Sequence, residues 1–176
     1  MSTFVQRMTR AARLEAALYE EVEADTGALG QAMGVVILSS VAAGIGTFST
    51  AGWKGLLLGT FSALIGWYVW AFLTYFIGTR LLPTPETHAD QGELLRTIGF
   101  ASSPGLLRVL GVVKPLANPV MLVTAVWMLV AMVIAVRQAL DYKSTLRAVG
   151  VCLIGWIIQA ALLAIMMLLF GRGGAS

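Results

Sequence analysis

Four stretches of the chain, approximately 28–48, 55–77, 119–136 and 148–170, carry no Asp, Glu, Lys or Arg. Each is long enough to cross a bilayer, which takes about 20 apolar residues at 1.5 Å rise each. They lack the alternation of a barrel strand, and an open sheet edge in lipid would leave backbone groups unpaired. The pattern predicts four spanning α-helices. Ahead of them, Phe4, Met8, Ala11, Leu18 and Val22 recur at near-helical spacing, so Phe4–Ala24 reads as one amphipathic helix. Its first half is basic (Arg7, Arg10, Arg13) and its second acidic (Glu15, Glu20, Glu21, Glu23). Two roles fit: the basic half resting on anionic headgroups, or the helix packing on the cytoplasmic end of the bundle.

The segment Gly92–Val113 is ambiguous. Its uncharged centre, Thr97–Leu107, lies between Arg96 and Arg108 and amounts to roughly 17 Å of helix. Pro104 removes a backbone donor inside it, and Ser103 is placed to cap a new helix start. Three structures fit: a span with Arg96 and Arg108 snorkelling to opposite interfaces, a helix broken at Ser103-Pro104, or an interfacial hairpin. Charge does not choose between them. Five spans with the amino terminus inside put 8 Lys/Arg in the cytoplasm and 4 outside, and four spans give the same 8 to 4. Asn118-Pro119 reads as a cap with proline at the first helical position. Leu82-Pro83-Thr84-Pro85 ends the second span, because a residue before proline is disfavoured in the α region.

Composition agrees with a lipid-facing surface. The chain is 58% hydrophobic and 12% charged, with a mean hydropathy of +0.83, whereas soluble domains carry roughly 25% charged residues. The net charge of +3 over 176 residues is scattered, which argues against nucleic acid as a partner. The single cysteine, Cys152, excludes an intrachain disulfide. No apolar signal core follows Arg7, Arg10 and Arg13, so the first span is expected to act as the insertion signal. The domain reading is a cytoplasmic amphipathic segment 1–26, a transmembrane bundle 27–171 and a frayed tail 172–176.

The motifs are mostly packing motifs. Gly30 with Gly34, and Gly55 with Gly59 and Ala63, are small residues four apart, which let helix backbones approach closely in lipid. They fit either a dimer interface or packing within one bundle. Trp67, Tyr68, Trp70, Phe72, Tyr75 and Phe76 crowd the second span, as internal packing or as a platform for an apolar ligand. Gln159, inside the last span, is expected to hydrogen-bond across helices. Chemistry is sparse. His88 is the one histidine, and Glu86, Asp90 and Glu93 nearby read as a solvated turn rather than a metal site. Hydrolase, zinc-protease and phosphate-loop patterns are absent. No catalytic residue, metal or cofactor is assigned, and the protein reads as a non-enzyme.

The pattern resembles the YIP1 family of small polytopic membrane proteins, in a bacterial-type version. The resemblance rests on Glu20–Thr26 leading into Gln31–Val36, on Gly92–Ala101 running through Pro104 to Leu110, and on Trp127 through Arg137-Gln138-Ala139-Leu140 to Thr145. It implies an all-α bundle of five spans, with Gly92–Val113 as the short, Pro-interrupted third and the amino terminus cytoplasmic. It also implies a multi-pass location in a bacterial inner membrane. Eukaryotic members are linked to vesicle trafficking and Rab-type GTPases, a role not carried over because the amino-terminal region is short. The expected function is non-enzymatic interaction with membrane lipid or with proteins, including a homo-oligomer or other membrane proteins. One alternative is a transporter or channel subunit built on Arg96, Ser103, Pro104 and Arg108, whose arginines would attract anions. Another is an accessory subunit of a larger membrane complex.

Overall fold

A computed structural model describes residues 3–170, with the backbone path alone given for Ser49, Thr50 and residues 162–170. The expected tail 172–176 lies outside the described residues. Among the described residues the fold is all-helical, with seven α-helices: α1 Phe4–Ala12, α2 Ala16–Ala24, α3 Leu29–Gly46, α4 Phe48–Phe76, α5 Gln91–Ala101, α6 Lys114–Ala139 and α7 Thr145–Phe170. Three helical stretches are long and apolar enough to cross a membrane: Thr26–Gly46, Ala51–Leu81 and Lys114–Ala139. Helix α7 is apolar over Thr145–Ala161.

The amino-terminal segment differs from the single helix expected. Leu14 adopts φ 62° and folds the segment into the two helices α1 and α2. The division into a basic and an acidic half explains the fold-back, because it lets the halves neutralise each other. Arg7 pairs with Glu21 at 3.0 Å and Asp25 at 2.8 Å, and Arg10 pairs with Glu15 at 3.0 Å and with Glu21. The apolar face then turns inward. Ala11, Leu18, Tyr19 and Val22 are fully buried in one cluster with Ala28, Ala32, Phe100, Ala131 and Ala135. Segment 1–26 therefore contributes to the bundle core. Trp127 of α6 donates from Nε1 to the Ala12 carbonyl at the end of α1, at 2.7 Å, and Gln138 donates to Glu20 at 2.6 Å.

Gly52, at φ 59°, separates a leading turn of α4 from its long body. A π turn, Ile77–Leu81, ends that helix. There the Tyr142 hydroxyl shares its proton between the carbonyls of Leu82 at 2.7 Å and Gly78 at 3.1 Å.

The ambiguous segment is a short α-helix followed by a 3-10 helix. Asp90 and Glu93 form a reciprocal capping box at the start of α5, and every residue from Leu94 to Ala101 is buried. The 3-10 stretch Ser103–Val112 follows, with Pro104 in its first turn. Ser103 does not cap it as expected. Its hydroxyl donates back to the Phe100 carbonyl at 2.7 Å, because Ser103 already belongs to the 3-10 stretch. Glycines set this segment against α3: a Cβ on Gly99 would stand 2.7 Å from the Ala32 Cβ, and one on Gly105 2.0 Å from the Ser39 Oγ. A Cβ on Gly46, at the end of α3, would stand 2.2 Å from the Arg108 carbonyl oxygen. Both sequences advance together, so α5 and the 3-10 stretch run alongside α3 in the same direction.

Helix α6 starts at Lys114, a turn earlier than Asn118-Pro119 suggested. Pro115 occupies the first-turn position and Pro119 sits inside the helix. The first-turn preference for proline is met by Pro115, where the missing N–H has no intrahelical partner to lose.

These packings give the bundle two unlike ends. The near end gathers α1, α2, the start of α3, the end of α4, the start of α5 and the α6–α7 turn. All 9 Asp and Glu lie in these segments: Glu15, Glu20, Glu21, Glu23, Asp25, Glu86, Asp90, Glu93 and Asp141. The far end carries Lys54, Arg108 and Lys114 and no acidic side chain among the described residues.

Candidate functional site

Between α3, α4, the 3-10 stretch, α6 and α7 lies an open groove of about 570 Å³, within the 300–1,000 Å³ typical of small-molecule sites. One wall is the small-residue face of α4: Gly55, Gly59, Ala63 and Gly66. A Cβ on Gly59 or Gly66 would meet nothing within 4 Å, and one on Gly55 only Ala51 of the same helix. The second small-residue motif thus forms a smooth trough with no side chain pressed into it among the described residues. From Gly55 to Trp70 the trough follows about 22 Å of helix.

The tryptophans close its near end. Trp67 donates from Nε1 to the Leu95 carbonyl at 3.0 Å, and Trp70 from Nε1 to the Met132 sulfur at 3.3 Å. Both indole N–H groups are therefore satisfied, and the rings border the cavity together with Trp156. Trp70 and Trp156 lie 6.5 Å apart between centroids. Part of the aromatic crowd expected in the second span therefore lines this site, while Tyr68, Phe72 and Phe76 are exposed on the bundle surface.

Polar groups stand higher in the groove. Ser39, Ser40 and Ser102 contribute to the wall, as does Gln159. Gln159 makes no hydrogen bond across helices among the described residues and borders the groove. Arg108 reaches in from the far end and is half-buried, with Nε donating to the Thr124 hydroxyl at 3.3 Å. Thr124 is itself buried and donates to the Val120 carbonyl at 2.8 Å. Arg108 has no carboxylate partner among the described residues. A guanidinium offers five donors, so most of this one remains available to an anion.

The other predicted residues scatter. Arg96 does not join Arg108: its side chain is buried at the near end and donates to the Val22 carbonyl at 2.9 Å and to the Glu23 carbonyl. It thereby satisfies orphan carbonyls at the end of α2, where a cation is favoured by the helix dipole. Pro104 is buried between the groove-lining Ser102 and Arg108 but does not itself line the groove. In the first small-residue motif, a Cβ on Gly30 would meet nothing within 4 Å among the described residues, and one on Gly34 would stand 3.6 Å from the Phe4 ring, an ordinary contact.

Near the chain's one histidine there is a shallow recess bordered by His88, Asp90 and Glu93. Asp90 and Glu93 are engaged in the capping box, and Glu86 pairs with Lys143 at 2.7 Å. Among the described residues no group of three or more His, Cys, Asp or Glu could hold a metal ion. At the same end, burial pushes the Glu23 carboxyl up to about 7, helped by the negative charges of Asp141, Glu93 and Glu20 and opposed by Arg96.

Sequence reasoning found Arg108, Gln159, Gly55, Gly59 and Ala63 but not that they share one cavity. Met121, Met128 and Met132, which form the wall from α6, went unnoticed; their seven- and four-residue spacing along one helix face was the available signal. Comparison with protein-family models, with curated proteins and with solved structures finds no match to this chain.

Proposed function

We propose that this is a five-span integral membrane protein of the YIP1 type that works by binding rather than catalysis, with the groove between α3, α4 and α6 as its binding surface. The carrying observation is the coexistence, among the described residues, of an unfilled small-residue trough with an arginine that no carboxylate offsets. An intramembrane cation is costly and marks a functional site by default. Here it borders space that no side chain among the described residues fills. The five-span count is supported by the course of α5 and the 3-10 stretch beside α3, matched at Gly99, Gly105 and Gly46. On that reading the near end, with 8 of the 12 Lys/Arg, is cytoplasmic.

A transport subunit is the second reading, favoured because the cavity reaches Ser102 and Arg108 on either side of Pro104. Reporters at Gly59→Cys and Ser102→Cys, each on a Cys152→Ser background in proteoliposomes, separate the two. Binding from the lipid phase predicts that a lipid-soluble photoprobe labels position 59 while a charged thiol reagent reaches neither position. Reaction of position 102 with the charged reagent would replace binding by a water-filled path. Labelling by neither probe would mean a closed core and would end both readings.

A further inference from the structure

The chemistry of the groove specifies its occupant. Along its length it is a strip of glycine, alanine and methionine floored by indole rings, which suits a hydrocarbon chain. At its far end stands one guanidinium whose sole partner among the described residues is the Thr124 hydroxyl. Arg108 lies on the 3-10 stretch opposite Gly46 at the end of α3, so the charge stands at the far end of the groove. A ligand that satisfies both halves must carry an anionic head and an apolar tail.

A second copy of this chain could lay a helix in the trough but could not meet the charge. No Asp or Glu occurs between residues 26 and 85 or between 94 and 140, and none follows Asp141. Every acidic side chain belongs to the near end. The far end presents Lys54, Arg108 and Lys114 with no acidic group from its own protein among the described residues. Acidic side chains of a second copy therefore do not reach this end, whereas an anionic lipid of the surrounding bilayer does.

We propose that the groove holds one acidic phospholipid, with its phosphate on Arg108 and an acyl chain lying along Gly55, Gly59, Ala63 and Gly66 toward Trp70. The trough length of about 22 Å exceeds the roughly 15 Å depth of one leaflet, so a full-length chain fits without folding back. Glycines at 55, 59 and 66 keep the floor flat where a side chain would displace the lipid. Arg108 selects the head through charge-assisted hydrogen bonds in a site partly shielded from water. This inference rests on the binding reading above and names the ligand class.

The test is native mass spectrometry of the purified chain from nanodiscs containing equal phosphatidylglycerol and phosphatidylcholine of identical acyl chains. The expected result is one phosphatidylglycerol retained per chain with about a tenfold preference over phosphatidylcholine, the order of one charge-assisted contact. Arg108→Gln should abolish that preference and Arg108→Lys should keep much of it. Gly59→Phe, placed where a new side chain meets open space, should expel both lipids while leaving Arg108 intact. Equal retention of both lipids, or a preference unchanged in Arg108→Gln, would overturn the acidic-head assignment but leave a lipid-binding groove. Retention of neither lipid would overturn the binding reading as well. Displacement of the lipid by millimolar glycerol phosphate would also overturn the proposal, in favour of a small soluble anion.

Discussion

Replacing Gly46 by alanine should damage the bundle, whereas the same change at Gly59 should not, although Gly59 belongs to the recognisable motif. A Cβ on Gly46 would stand 2.2 Å from the Arg108 carbonyl oxygen and 3.3 Å from the carbonyl carbon. Those atoms are backbone of the 3-10 stretch, so the whole segment must retreat by roughly 1 Å to reach a tolerable separation. Overpacking of this kind costs about 1–3 kcal/mol. The helix-propensity gain of alanine over glycine, about 1 kcal/mol at most, offsets part of it and less at a helix end. At Gly59 a Cβ meets nothing within 4 Å, so only the propensity gain remains. The two variants should therefore differ by about 2–3 kcal/mol in opposite directions around the parent. Cys152, the single cysteine and buried, supplies the assay: a thiol-reactive fluorophore reports its exposure during thermal unfolding in detergent. A change of 1 kcal/mol moves the midpoint by about 2–4 °C in a chain of this size, so Gly46→Ala should melt about 4 °C or more below Gly59→Ala. Equal midpoints, or a larger loss at Gly59, would refute the glycine-matched course of the third segment along α3.

Three further changes probe the near end. Arg96→Met keeps the apolar stem but removes the donors to Val22 and Glu23; about 2 kcal/mol of docking energy should be lost. Hydrogen exchange in residues 16–24 should then accelerate while α6 is unchanged, and unaltered exchange would count against the capping role. Glu23, with its carboxyl raised to about 7, lies above its unfolded value of about 4.3. Its contribution is fully present below about pH 4.3 and is lost as pH rises through about 7. The parent should therefore be less stable at pH 8 than at pH 5, and Glu23→Gln should remove about 1 kcal/mol of that slope once solvent screening of this half-exposed group is allowed for; melts at the two pH values decide it. Tyr142→Phe deletes the hydroxyl held by Gly78 and Leu82. It should cost about 1 kcal/mol and speed amide exchange at Leu82, and an unchanged melt would show that water replaces the bond.

What could be read from the chain divides along a physical line. Runs without charge are legible because hydrocarbon penalises an ionised group wherever it falls, whatever its neighbours. Thus the apolar stretches over α3, α4, α6 and α7 could be read from residue type alone. The interruption at Pro104 is legible too, since the missing N–H is local. Contacts between distant segments are a different matter. Arg96 and Arg108 look equivalent in sequence, flanking the same short uncharged run. One is consumed by carbonyls more than seventy residues away, and the other borders a cavity with no carboxylate partner among the described residues. No local pattern distinguishes them, because the difference lies in what the amino-terminal hairpin covers. Glycine spacing fails for the same reason. Gly55-Gly59 describes a smooth helix face without saying what lies opposite, and among the described residues nothing on another helix does. Of the glycines under compression, Gly46 has Ala42 and Gly105 has Ala101 four positions back while Gly99 has no such partner, so the spacing does not mark them; their neighbours run beside them on another element and the register is set between elements. The acidic residues offered the one non-local clue available in advance. All nine fall in segments that meet at one end of the bundle, which could have shown beforehand that Arg108, at the other end, would find no acidic side chain beside it among the described residues.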